Sequence, residues 1–154
     1  MNVYEKMNTL NIEMQDAVPK GGIYSPVRLF QSNMAFVSGT GPIGKYYDGP
    51  LGKLGSGVTL EQGRMAARST MLNILFNLHH NLGDLGRIKS FVKILAFVAS
   101  ADTFTQQPKV IDGASEILLE LFGPEIGMPA RSAIAANVLP GDIPVEIEVL
   151  LELH

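Results

Sequence analysis

Few side chains in this sequence could do chemistry, and Arg131 stands out among them. It is the last basic residue of the chain and opens a run of small apolar residues, Ala133, Ile134, Ala135 and Ala136. A guanidinium among such neighbours needs an anionic partner, because leaving it desolvated and unpaired is costly. Its planar fork suits a carboxylate held through two parallel hydrogen bonds. That carboxylate belongs either to a ligand or to a structural ion pair, with Glu146 and Glu148 on the following strand as candidates. The two glutamates lie two residues apart and so share one face of an extended chain. They form either the solvated face of an edge strand or, if one lies in a cleft, a proton-transfer group. Tyr24 follows Gly21 and Gly22 and, on packing grounds alone, is a core or interface tyrosine.

Other motifs carry less. Gly39-Thr40-Gly41-Pro42-Ile43-Gly44 fits the spacing of a dinucleotide fingerprint. That chemistry requires the glycines to open a helix whose N-terminus meets the pyrophosphate. Pro42, Gly49, Pro50, Gly52, Gly55 and Gly57 keep the following stretch out of helix. Gly52-Lys53 is followed by Leu54 and not by the Ser or Thr of a phosphate loop. His79 and His80 are adjacent on a helix and point to different sides, and His154 ends the chain, so no metal site is expected. The chain has no cysteine, which excludes thiolate nucleophiles, disulfides and Cys-based clusters.

These residues need elements to position them. Val3, Met7, Leu10 and Met14 recur at helical spacing over residues 2–14. Tyr24–Phe30 and Met34–Ser38 read as a hairpin split by a polar turn. A glycine-rich loop fills 39–57. Thr59 and Gln62 have capping-box spacing, Leu60, Ala67, Met71, Ile74, Leu78 and Leu82 form one stripe, and Gly83 suits a C-cap; a helix over 59–82 follows. Ser90–Ser100 is a strand with two largely apolar faces, so both should be covered. Thr103 or Thr105 caps a second helix that has Pro108 in its first turn and ends near Gly123. Arg131–Val138 and Pro144–Leu153 are strands. The order gives one α+β domain, with two helices covering one face of a sheet. The other face is left to pack against further copies of the chain.

Composition agrees with a packed domain. Of the 154 residues 46% are hydrophobic and 18% charged, which excludes a disordered chain. The uncharged stretch Ser69–Gly83 is broken by two histidines and three asparagines, so no membrane span is expected. Net charge is −3 and the twelve Lys and Arg are scattered, which argues against nucleic acid as a partner. The start of the chain lacks a signal-peptide pattern, and a reducing cytoplasm is the expected location.

Several of these segments together resemble one family. They are Gly22-Ile23-Tyr24-Ser25, Met34 through Pro42, Leu72-Asn73, Arg87 through Lys93 and Ala101 through Phe104. The most specific are Pro129-Ala130-Arg131-Ser132, Leu139-Pro140 and Val145-Glu146-Ile147-Glu148. The sequence resembles the RidA (YjgF) family, also labelled endoribonuclease L-PSP, over residues 20–154, with residues 1–19 as an N-terminal helical extension. The resemblance implies a chorismate-mutase-like fold, a homotrimer, and cofactor-free hydrolysis of reactive enamines and imines of 2-keto acids in clefts between subunits. It implies that Arg131 grips the substrate carboxylate, helped by the Gly39 N–H. Tyr24 and Thr40 would line the cleft, and Glu146 would orient water. It leaves two alternatives: a trimer that binds small carboxylates without turnover, and an endoribonuclease or translation inhibitor. Thr40 replaces the family's glutamine, Ile23-Tyr24-Ser25-Pro26 replaces Pro-Tyr-Ser-Gln, and Ala133 stands two residues beyond the arginine. The asparagine expected at the start of the second helix is not recognisable around 106–112.

Overall fold

The computed structural model describes residues 1–154. In chain order its elements are α1 (Val3–Thr9), β1 (Val27–Phe30), β2 (Met34–Thr40), β3 (Lys53–Leu54), β4 (Gly57–Val58), α2 (Leu60–Leu82), β5 (Ile88–Ala99), α3 (Gln107–Gly127), β6 (Ala130–Ala136) and β7 (Val145–Leu153). Five strands form one mixed sheet in the order β1-β2-β7-β5-β6, parallel only between β5 and β6. Helices α2 and α3 cover one face, so the fold is α+β, a helix layer on a mixed sheet.

Helix α2 starts and stops where its caps dictate. Gln62 N–H donates to Thr59 Oγ1 at 3.2 Å while Thr59 N–H donates to Gln62 Oε1 at 2.9 Å. At the other end Gly83 takes φ 81°, a conformation that costs glycine little, and its N–H returns to His79 O. Its apolar stripe packs on the sheet and on Val110, Ala114, Ile117, Leu118 and Leu121 of α3. Gly113 lets the two helices approach closely: a Cβ there would overlap the Arg64 backbone carbonyl. Arg64–Glu116 (2.6 Å) and Arg68–Glu120 (3.1 Å) link the exposed rims of the pair.

The strands follow the period-two pattern. In β7 Val145, Ile147, Val149 and Leu151 enter the core, while Glu146, Glu148, Leu150 and Glu152 take the opposite face. In β5 the alternation slips at a bulge around Val92, so that Phe91 and Ile94 both reach the core. The face away from the helices carries no protein layer of this chain. Phe36 is 41% and Ile134 46% exposed, and Phe30 also faces solvent.

Several expectations are corrected. Helix α1 is shorter than the 2–14 pattern, because Leu10 caps it and Asn11 turns the chain at φ 55°. The glycine-rich loop holds the short parallel pair β3 and β4. Helix α3 is not capped by Thr103 or Thr105: Gln106 is its N-cap without a side-chain bond, and Gln107 Nε2 instead donates to Phe104 O at 2.7 Å. Gly123, at φ 75°, breaks that helix where its end was expected, and one further turn follows. Finally, β7 is a central strand between β2 and β5, so Glu146 and Glu148 are not on an edge strand.

Candidate functional site

The sheet register sets up the site. Val37 pairs with Val149 and Thr40 with Ile147, so Ser38 and Gly39 together stand opposite Glu148. This is a β-bulge, which bends a strand and re-aims its side chains. Ser38 fastens it from both ends: its N–H donates to Pro26 O at 2.9 Å and its Oγ to Ser25 O at 2.6 Å. Thr40, nearly buried, donates from Oγ1 to Ser38 O at 2.9 Å. Gly39 remains without a side chain where the Glu146 carboxyl lies. A Cβ at position 39 would overlap Glu146 Oε1 and stand 3.0 Å from its Cδ.

A cavity of about 670 Å³ opens beside this bulge. Tyr24, Gly39, Thr40 and Glu146, four of the residues singled out from the sequence, line it together with Ser38 and Asn77. Tyr24 is half-exposed at its rim and accepts the Gly21 N–H on Oη at 3.1 Å. Burial raises the Glu146 carboxyl above the ordinary glutamate range, and the Glu148 charge adds to the rise. None of the chain's six ion pairs involves Glu146. A carboxyl so placed can accept a proton nearer neutrality than an exposed glutamate does. No three His, Asp or Glu side chains converge closely enough to hold a metal ion.

Arg131 does not line this cavity within one chain. It is registered with Ile94 and reaches toward α3, whereas Glu146 and Glu148 occupy the other face of the sheet with β5 between. Its partner is therefore neither glutamate. Arg131 Nη1 donates to Asp112 Oδ1 and to Ser115 Oγ, both at 2.9 Å, and Nη2 to Pro108 O at 3.3 Å. Arg131 lies on β6, an edge strand of the sheet. The Gly39–Gly44 motif opens no helix: Gly39 and Thr40 still belong to β2, and the next helix begins at Leu60.

Residues 5–153 match the model of the family described as "YjgF/chorismate_mutase-like, putative endoribonuclease". The chain belongs to this family. A curated relative, Protein TCP17 of Trypanosoma cruzi, is 41% identical over 103 residues, 67% of this chain and 64% of the relative. The match thus spans under two-thirds of that relative's length. Among solved YjgF-like structures, Atu1372 of Agrobacterium tumefaciens, described as of unknown function, is 29% identical with a TM-score of 0.88 over 99% of this chain and 92% of its own. A protein described as a putative endoribonuclease of Shewanella oneidensis is 26% identical, with a TM-score of 0.92 over 99% and 100% of the two chains. No helix of the YjgF-like fold seen here is long and apolar enough to cross a membrane.

Sequence reasoning missed two positioning residues. Asn73, buried in α2, donates from Nδ2 to Gly41 O (2.9 Å) and Ile43 O (2.7 Å), and so fixes the chain leaving β2. Asn77, one turn on, lines the cavity and accepts the Val18 N–H on Oδ1 at 2.9 Å. The signal was present. Two amides four residues apart in an apolar helix imply buried backbone partners, because buried amides are hydrogen-bonded.

Proposed function

We propose that the protein hydrolyses reactive imines and enamines of 2-keto acids without a cofactor, in a cleft completed by a neighbouring copy of the chain. The observation that carries this reading is the Glu146 carboxyl, raised by burial and lying over Gly39 in a cavity shared with Tyr24 and Thr40. Water adds to the imine carbon as the carboxylate takes its proton. The carboxyl returns that proton to nitrogen to give the carbinolamine; the carbinolamine hydroxyl proton then passes by the same carboxylate to nitrogen as the C–N bond breaks, and ammonia and the 2-keto acid leave. An enamine first takes a proton on carbon to become the imine. Arg131, on the edge strand β6, would come from the neighbouring copy to grip the substrate carboxylate, with the Gly39 N–H as a second donor. The exposed Phe30, Phe36 and Ile134 on the uncovered sheet face support closure of that cleft by a homotrimer. Lack of cysteine suits work in a reducing cytoplasm.

The test supplies imines from an amino-acid oxidase and follows their disappearance with a carbonyl-trapping reagent. The wild-type protein should speed clearance above the uncatalysed rate, and both Arg131→Ala and Glu146→Gln should abolish the gain. No acceleration across a range of amino-acid precursors refutes catalysis. Thermal stabilisation by 2-keto acids without turnover would instead support a carboxylate-binding role. The endoribonuclease label of relatives is met by a chain of net charge −3. RNA cleavage by the pure protein, lost in Glu146→Gln, would reinstate it.

A further inference from the structure

Between α1 and β1 the chain crosses the molecule without secondary structure, yet it is fastened along its length. Glu13 pairs with Lys45, and its backbone N–H donates to Tyr46 Oη at 2.8 Å. Val18 N–H donates to Asn77 Oδ1, and Gly21 N–H donates to Tyr24 Oη. The last two bonds bracket Lys20 in sequence, so its backbone is held at the cavity before any ligand arrives.

Lys20 is the one basic residue lining that cavity, and Glu146 is the one acidic residue. Lys20 takes part in none of the chain's ion pairs. No ion pair joins its ammonium to the Glu146 carboxyl, although both residues line the same cavity. Ile43, Leu51 and Ile143 give the same cavity an apolar wall. An unpaired cation at the mouth of a partly apolar cavity draws anions and orients them. On the reading above, Arg131 of the neighbouring copy already balances the substrate's α-carboxylate. Lys20 is then left for a second negative group.

We propose that Lys20 forms a second anion subsite, so that the preferred substrate is a 2-imino acid whose side chain itself ends in an anionic group. The proposal rests on the imine-hydrolysing reading of the Glu146 cavity. It also gives the fastened segment 12–21 a task, that of carrying a specificity-determining lysine to the site.

The experiment measures binding of two product-like keto acids to the full chain by calorimetry, with imine clearance assayed in parallel. The dianion 2-ketoglutarate is compared with the monoanion 2-ketobutyrate, on wild type, Lys20→Met and Lys20→Arg. Wild type should bind the dianion about tenfold tighter, as one charge-assisted contact would give. Lys20→Met should erase that preference and leave the monoanion within about twofold, and Lys20→Arg should keep it. Equal wild-type affinities, a preference that survives in Lys20→Met, or equal weakening of both ligands overturns the subsite. If 2-ketobutyrate binds and its imine is hydrolysed, those results remove the subsite alone. If neither keto acid binds and no imine is cleared, the parent reading fails and the subsite falls with it.

Discussion

Gly39 and Glu146 occupy a single space: the carboxyl of one lies where any side chain on the other would stand. The register slip in β2 brings them together, because it sets Ser38 and Gly39 against Glu148 and turns the strand beside the start of β7. Gly39→Ala should therefore displace the carboxyl. The nearest atom is the far end of a flexible side chain, so the fold should tolerate the change, losing no more than about 1 kcal/mol. Imine clearance should fall on the order of a hundredfold, as misplacement of a reacting group by about 1 Å commonly costs. An active Gly39→Ala protein with an unchanged melting temperature would show that the position of this carboxyl does not matter.

The titration of Glu146 makes a prediction with a definite sign. Burial, and after it the Glu148 charge, holds its proton more tightly in the folded chain than in the unfolded one. Stability from this group is therefore fully present at low pH. It is lost as pH rises from the ordinary glutamate range through the raised value. Glu146→Gln should gain stability relative to wild type above that window, with the gap closing below it. Urea unfolding at about pH 4 and about pH 7.5 would check this. The acid limb of the activity should lie above the usual glutamate range for the same reason. Glu148→Gln should shift the limb down only in part, since burial remains.

How much of this was visible in the sequence depends on the range of the interaction. The ends of α2 were legible because Thr59, Gln62 and Gly83 cap within four residues of the groups they satisfy. Strand β7 was legible from its alternation. The start of α3 was not legible from a cap residue, because Gln106 holds the N-cap position without a side-chain bond and only Pro108, which has no N–H to satisfy, marks the first turn. The order of the sheet was not written in any single segment, so an edge strand stayed open for Glu146 beside a cleft position, while β7 lies between β2 and β5. For the same reason the Arg131 partner was misplaced: a helix residue, Asp112, is nearer than either glutamate. The overlap of Gly39 with Glu146 depends on a bulge, which sequence periodicity does not reveal.

Asp112 holds the guanidinium that the proposed function assigns to substrate. The Arg131 side chain is 24% exposed and its partner 45%, so the pair is partly screened by solvent. A substrate carboxylate would have to compete with that contact. Asp112→Asn keeps the shape and removes the charge. It should tighten 2-keto acid binding severalfold while costing less than about 1 kcal/mol in stability. Weaker binding in Asp112→Asn would mean that the aspartate orients Arg131 for the ligand and does not compete with it.

The uncovered sheet face predicts assembly. Phe36 pairs across to Leu150, and Ile134 lies beside Phe97, so two apolar patches stand on the strands opposite the helices, with Lys93, Glu146 and Glu148 between them. Apolar patches beside charged groups on an uncovered sheet face suit contact with another chain. Light scattering should give three chains of 16.6 kDa for the wild type. Ile134→Asp should lower the mass and abolish imine clearance together, because the proposed cleft needs its neighbour. A monomeric wild type that still clears imines would remove Arg131 of another copy from the mechanism.

Asn73 tests whether the site is held from behind. Its amide satisfies two carbonyls, Gly41 O and Ile43 O, directly after the bulge that carries Gly39. Asn73→Ala leaves the buried Gly41 O and the part-buried Ile43 O without this partner, a loss of about 1–3 kcal/mol. The effect should concentrate locally, since the helix itself gains from alanine. Amide exchange at Gly41, Ile43 and Gly44 should accelerate well beyond that at β5 and β7. Imine clearance should drop even where the protein is fully folded, because β2 would no longer be tied to α2 where it passes Glu146. Uniform loss of protection across the sheet would instead mark Asn73 as a general core residue with no particular hold on the site.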